Sequence, residues 1–226
     1  MPNLRDIPLE HGNYYHIYNR GNNGETLFHT PQDYRHFISL YDKYIPTIAN
    51  TYAWCLMGNH FHLLVRIKEE SEIGYLKELS SSMYNGHGRL KWQLTHNPPE
   101  SEDSGGICGK KPIPHKMFSH LFGSYTKHFN LKNNRTGSLI EKNFRRLNVT
   151  SEKYFQNLVL YIHQNPAHHQ LNNDFREYPW SSYQSIISVK PTKVDRKTVL
   201  EWFNGKKNFI ETHQRIVDPS IMDEQI

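Results

Sequence analysis

Cysteine is scarce in this chain: two in 226 residues, Cys55 and Cys108, with no CxxC spacing. That excludes a zinc ribbon and a disulfide framework, and two unpatterned thiols fit a reducing cytoplasm. The N-terminal stretch MPNLRDIPLEHGNYYH lacks the apolar run of a signal peptide. No stretch reaches the length of a membrane-spanning helix, and there is neither an internal repeat nor a low-complexity tract. A large charge imbalance is also lacking. Lys plus Arg number 27 against 22 for Asp plus Glu, a formal charge of +5, which permits a polyanionic partner without requiring one. These absences lead us to expect a soluble cytoplasmic protein with no membrane partner.

What is present is a length suited to one domain with a substantial core. Hydrophobic residues make up 36% and aromatic residues 13%, so large rings must do much of the burying. Residues 14–19 (YYHIYN) predict a strand that ends at the Arg20–Gly24 loop. Thr30-Pro31-Gln32-Asp33 reads as an N-cap, a proline at the first helical position and an acid in the first turn. Tyr34, Phe37, Ile38, Tyr41 and Ile45 continue at helical spacing and predict a helix over 31–46. Residues 51–57 and 60–67 predict two strands, joined so tightly at Gly58-Asn59 that they must form an antiparallel hairpin.

Ile73, Leu76, Leu79 and Met83 suggest a helix after Ser71. Periodicity vanishes over 95–115, where Pro98-Pro99 and Gly105-Gly106 stand, and 84–115 reads as a mobile insertion. Phe118, Leu121, Phe122, Tyr125 and Phe129 predict a helix, Ser138 to Val149 a fourth strand, and 151–165 a last helix that Pro166 ends. The order β-α-β-β-α-β-α predicts an α+β fold of the ferredoxin-like or RRM-like kind. It has a four-stranded antiparallel sheet, helices on one face and an added C-terminal helix. Residues 1–190 form the expected domain and 191–226 a C-terminal extension.

Two features carry chemistry. Alternation along 60–67 puts His60, His62, Leu64 and Arg66 on one face, and Phe61, Leu63, Val65 and Ile67 on the core face. Two imidazoles two residues apart can turn ring nitrogens toward one transition-metal, Mn²⁺ or Mg²⁺ ion. Taken alone, in a chain of 15 histidines, the pair is as readily two exposed strand residues.

In the last helix, Phe155, Leu158, Val159 and Ile162 form a core stripe, with Tyr161 and Asn165 as i, i+4 neighbours on its flank. Taken alone, these are equally a boundary tyrosine and a helix C-cap. As chemistry they are a nucleophilic phenol beside an amide oxygen able to join a metal site.

MGNHFHLLV at 57–65, GSLIEKNFRRLNV at 137–149, YIHQNP at 161–166 and YPWSSY at 178–183 occur in this order, after YYHIYNRG at 14–21. Over roughly residues 12–185 this pattern resembles the HUH single-tyrosine transposases, which include insertion-sequence and REP-associated enzymes. The resemblance implies Tyr161 as the catalytic nucleophile and His60, His62 and Asn165 as ligands of Mg²⁺ or Mn²⁺. It further implies cleavage and strand transfer of hairpin-forming single-stranded DNA through a 5′-phosphotyrosine. Gly58 departs from the proline common in the family and should keep the turn with less rigidity.

Arg20, Lys127, Lys132, Arg135, Lys142, Arg145 and Arg146, interleaved with aromatics, are candidate DNA contacts. Trp180 reads as a packing anchor, and His168-His169 as exposed or DNA-facing. Homodimer and monomer both stay open, as does whether Tyr161 serves its own chain. A domesticated hairpin-binding protein and an RRM-type RNA-binding sheet are the competing readings.

Overall fold

A computed structural model describes residues 7–78, 92–95 and 111–218. Its main sheet has strand order β2-β3-β1-β6, all neighbours antiparallel. The strands are β1 (Tyr14–Arg20), β2 (Ala49–Met57), β3 (His60–Ile67) and β6 (Arg145–Val149). This is the split-βαβ order expected from the sequence. A separate two-stranded ribbon pairs β4 (Tyr75–Glu78) with β5 (Trp92–Thr95).

Alternation gives the sheet two apolar faces. Tyr15, Ile17, Phe61, Leu63, Val65 and Ile67 enter a core with helices α1 (Pro31–Tyr44) and α2 (Pro114–Lys132). The α2 residues Phe118, Leu121, Phe122, Tyr125 and Phe129 are all buried there, as their spacing predicted.

The opposite face holds Leu64, Tyr52, Ala53, Cys55 and Met57 and receives α3 (Glu152–His168). A bulge between Thr51 and Ala53 lets the sequence neighbours Tyr52 and Ala53 both reach this second core. The α3 stripe of Phe155, Leu158, Val159 and Ile162 is fully buried. Each of these side chains is worth roughly 1.5–3 kcal/mol before ordering costs. Ser151 caps α3, its hydroxyl accepting from the Tyr154 N–H at 3.2 Å.

Residues 191–218 join this second core. After helix α4 (Tyr183–Ile187), the short helices α5 (Arg196–Trp202) and α6 (Lys206–Thr212) bring Val199, Phe203 and Phe209 into the cluster that holds the α3 stripe. The backbone at 180–182 runs beside β2, with Leu56 N–H donating to the Trp180 carbonyl and Ser182 N–H to the Trp54 carbonyl, both at 2.9 Å. That contact covers an otherwise exposed sheet edge. Trp180 stacks on Tyr34 at 4.5 Å, the packing role expected for it.

The start of α1 is held by Asp33, whose carboxylate accepts from the backbone of His29 (3.0 Å) and Thr30 (2.8 Å) and pairs with Lys132 at 2.6 Å. Lys132 holds that carboxyl below the usual range against the opposing cost of burial. Asp33→Ala should lower unfolding free energy by about 1–2 kcal/mol in urea titration; an unchanged midpoint would show that the cap contributes nothing. Gly21 ends β1 where an added Cβ would meet the Glu25 carbonyl oxygen at 1.9 Å, so the turn after YNR admits no side chain.

Three local expectations are corrected. After Ser71 there is one short 3-10 turn, Glu70–Glu72, and then β4, not a helix. Glu69 and Glu72 fold back onto Arg66 at 2.6 and 3.4 Å, which ends the turn. Leu79 and Met83 lie outside the described residues, as do Cys108 and most of the expected insertion 84–115; within that stretch 92–95 is strand and helix begins at Pro114. The fourth strand is only Arg145–Val149, because Asn143 takes φ 57°, a left-handed conformation that breaks the extended run expected from Ser138. Finally, Pro166 does not stop α3, which runs on to His168. Asn165 and Pro166 are both buried, so packing overrides the local penalty of a proline in the last turn.

Candidate active site

The face of the sheet beneath α3 is polar at one end. Tyr18 of β1 pairs across from His62 of β3, and His16 from Leu64. The α3 helix crosses β2 and β3, which sets Tyr161 on its flank over this polar patch. The Tyr161 ring meets the His62 ring edge-on at 5.4 Å between centroids, and the His16 ring at 6.3 Å. His60 and His62 lie 5.4 Å apart with their planes nearly perpendicular. The HFH triplet and the tyrosine helix, about a hundred residues apart in sequence, therefore meet within one chain.

Asn165 is one turn beyond Tyr161 and 1% exposed. Its amide N–H donates to the Tyr161 carbonyl oxygen at 2.9 Å, while its Oδ1 is buried without a hydrogen-bond partner. A buried amide oxygen left this way costs about 1–3 kcal/mol, so Asn165 keeps an acceptor that nothing among the described residues uses.

Burial keeps the site histidines neutral. It pushes His60 down to about 4, with His169 and Arg20 adding to the effect. It pushes His62 well below the ordinary imidazole range, reinforced by His16, His60 and His169. Neutral imidazoles keep a lone pair for a cation. Among the described residues no group of three or more His, Cys, Asp and Glu side chains is arranged to hold a metal ion. The residues that the sequence resemblance implies as ligands offer two neutral imidazoles and the buried amide oxygen of Asn165, a mixed nitrogen and oxygen set of a kind that divalent cations accept.

No protein-family profile matches the chain, and no curated protein does. Among solved structures, it matches one of a REP-associated tyrosine transposase bound to a REP hairpin. The TM-score is 0.51 at 15% identity, over 84% of this chain and 89% of the other. The chain has the tyrosine-transposase fold.

On that fold the expected basic residues separate into three places. Arg20 and Arg145 line a cavity of 280 Å³ together with His60, His62 and Tyr18. Glu141 holds both arginines, at 2.5 and 3.5 Å, and Arg145 also lies over the Tyr18 ring at 6.0 Å. Lys127, Arg135, Lys142 and Arg146 line a groove of 800 Å³ between α2 and residues 137–146. Arg135 is tied to Glu25 through Nε and Nη2, Arg146 lies over the Phe144 ring at 4.8 Å, and Lys132 is turned to Asp33 on α1.

Reading the sequence missed two members of the site. His16 bonds His62 at 2.8 Å, and its place on β1, two residues before Tyr18, was the available signal. His169, exposed as expected, puts its ring 4.8 Å from that of His60 and lines the same cavity. On the transposase fold, as elsewhere among the described residues, no helix is long and apolar enough to cross a membrane.

Proposed function

We propose that this chain is a metal-dependent HUH tyrosine transposase that cuts and rejoins single-stranded hairpin DNA. The observation that carries this reading is the meeting of Tyr161 with His62, beside the orphaned Oδ1 of Asn165. His60, His62 and Asn165 would hold Mg²⁺ or Mn²⁺. Such a cation, when bound, polarises the scissile phosphate and offsets charge developing on it.

Tyr161 is the nucleophile. Its Oη forms a bond to phosphorus as the bond from phosphorus to the 3′ oxygen breaks. The phenol proton passes to solvent, the departing 3′ oxygen takes up a proton, and the 5′ phosphate stays on Tyr161. In strand transfer a 3′-hydroxyl attacks this phosphotyrosine, restoring a phosphodiester and the free phenol. Tyr161 acts on the metal site of its own chain.

Arg20 and Arg145, lining the cavity, would contact the phosphates flanking the cut. Lys127, Lys142 and Arg146 would track the hairpin backbone along the larger groove. Lys132 and Arg135, paired to Asp33 and Glu25 as Arg20 and Arg145 are to Glu141, would exchange a carboxylate for a phosphate on binding.

The test uses a labelled single-stranded hairpin oligonucleotide with Mg²⁺ or Mn²⁺, read as an SDS-stable protein–DNA adduct. An adduct should form with metal and disappear with EDTA. Hairpin binding without an adduct, over a panel of hairpins, would replace the enzyme reading by that of a domesticated hairpin-binding protein.

A further inference from the structure

His60 and His62 share one detail of their surroundings. The Nδ1 of His60 lies 2.7 Å from the Oδ1 of Asn59, an acceptor, so His60 carries its proton on Nδ1 and presents Nε2 bare. The Nδ1 of His62 lies 2.8 Å from the Nε2 of His16. Both candidate ligands are thus tied through the same ring nitrogen.

His16 is a built-in neighbour. It sits on β1, diagonal to His62 across the β1–β3 register, and is 3% exposed, against 6% for His62. Its ring stacks on His62 at 5.1 Å and on Tyr18 at 4.7 Å. Its other nitrogen, Nδ1, is buried with no hydrogen-bond partner.

Two neutral imidazoles joined by one hydrogen bond have two proton arrangements. In one, His62 donates from Nδ1 and keeps its Nε2 lone pair. In the other, His16 donates and the proton of His62 sits on Nε2, which closes that nitrogen to a cation. Either way one nitrogen of His16 goes unmet, so the fold tolerates both and a ligand at His62 selects between them.

We propose that His16 is a positioning residue: it accepts the Nδ1 proton of His62, holding that ring in the tautomer and rotamer whose Nε2 lone pair can ligate a divalent cation. The inference rests on the metal-site reading of His60, His62 and Asn165. Partners of this kind orient ligand histidines and raise their basicity, and removing one typically costs 10–100-fold in metal affinity.

The test compares the native protein with His16→Phe, His16→Gln and His62→Ala, all without DNA. Mn²⁺ binding is followed by the EPR signal of the free ion, and folding by thermal melting. His16→Phe keeps a ring but no acceptor and should bind Mn²⁺ about 10–100-fold more weakly while melting cooperatively. His16→Gln, whose side-chain carbonyl can still accept, should recover most of that affinity, a rescue that a purely structural role would not require.

Nitrogen-15 NMR of the native protein with Mg²⁺ should find the proton of His62 on Nδ1. Finding it on Nε2 overturns the proposal even if His16→Phe fails to fold. Native-like Mn²⁺ binding by His16→Phe, with binding lost in His62→Ala, overturns the positioning role and spares the metal site. Native-like binding by His62→Ala overturns the metal site itself, and this inference with it.

Discussion

Tyr161→Phe should abolish the covalent protein–DNA adduct while leaving hairpin binding and folding intact. The substitution removes one oxygen and nothing else. Tyr161 is only half-buried, and the packing of α3 rests on Phe155, Leu158, Val159 and Ile162, none of which it disturbs. The ring would still meet His62 edge-on. Without the oxygen this side chain has no atom to bond phosphorus. Cleavage should therefore fall by at least ~10³-fold, the scale seen when a covalent nucleophile is removed. The measurement is single-turnover cleavage of the hairpin alongside a filter-binding titration. An adduct that survives in Tyr161→Phe would move the nucleophile elsewhere and sink the assignment.

The second large effect is acid lability, and its source lies behind the catalytic helix. Five groups form a buried chain whose protons are all determined. The Phe209 carbonyl accepts from Nδ1–H of His213 at 2.7 Å, which leaves Nε2 of His213 to accept from Nδ1–H of His163 at 2.8 Å. Nε2 of His163 then accepts from the Ser182 hydroxyl at 2.8 Å, and the Ser182 oxygen accepts from the Trp54 N–H at 2.9 Å. The chain ties residues after α6 to α3 and to the edge of β2. Adding a proton to either imidazole puts a positive charge in a site closed to solvent, since His163 is 0% and His213 2% exposed.

Burial accordingly pushes His213 down to about 4, and burial plus the neighbouring His213 pushes His163 well below the ordinary range. The unfolded chain takes up these protons near pH ~6.5, whereas the folded one does not until near or below pH 4. Stability is thus fully present above about pH 6.5 and falls as pH drops toward 4, by about 1.4 kcal/mol per pH unit for each histidine. His213 alone should cost about 3 kcal/mol across that window. His16 and His60, held down to about 3 and about 4 by burial, steepen the same decline. Urea midpoints between pH 7 and 4.5 measure it, and His213→Gln should reduce the slope by about one proton. A slope unchanged in that variant would show that the buried chain does not govern acid unfolding.

Much of this protein is legible from local pattern, because helical and strand periods are local properties. Alternation along 60–67 placed Phe61, Leu63, Val65 and Ile67 in the core and His60 and His62 opposite, as the structure has them. The i, i+3, i+4, i+7 stripe identified the buried face of α3, and Thr30-Pro31-Asp33 located the start of α1. Where the pattern misled, a nonlocal contact outweighed it. Packing of Asn165 and Pro166 carried α3 past its proline, and pairing of β4 with β5 replaced the expected helix after Ser71.

Spacing singled out His60, His62, Tyr161 and Asn165 as pairs able to share a face, but taken alone each pair read as readily as ordinary structural residues, and only the family resemblance gave them roles. Tertiary structure alone set Tyr161 against the His62 of its own chain, placed His16 behind His62, and split the basic residues between cavity, groove and the cap of α1. The reason is physical. Periodicity reports which face of an element a residue occupies, but which faces meet depends on how helices and sheet pack across distances of a hundred residues or more.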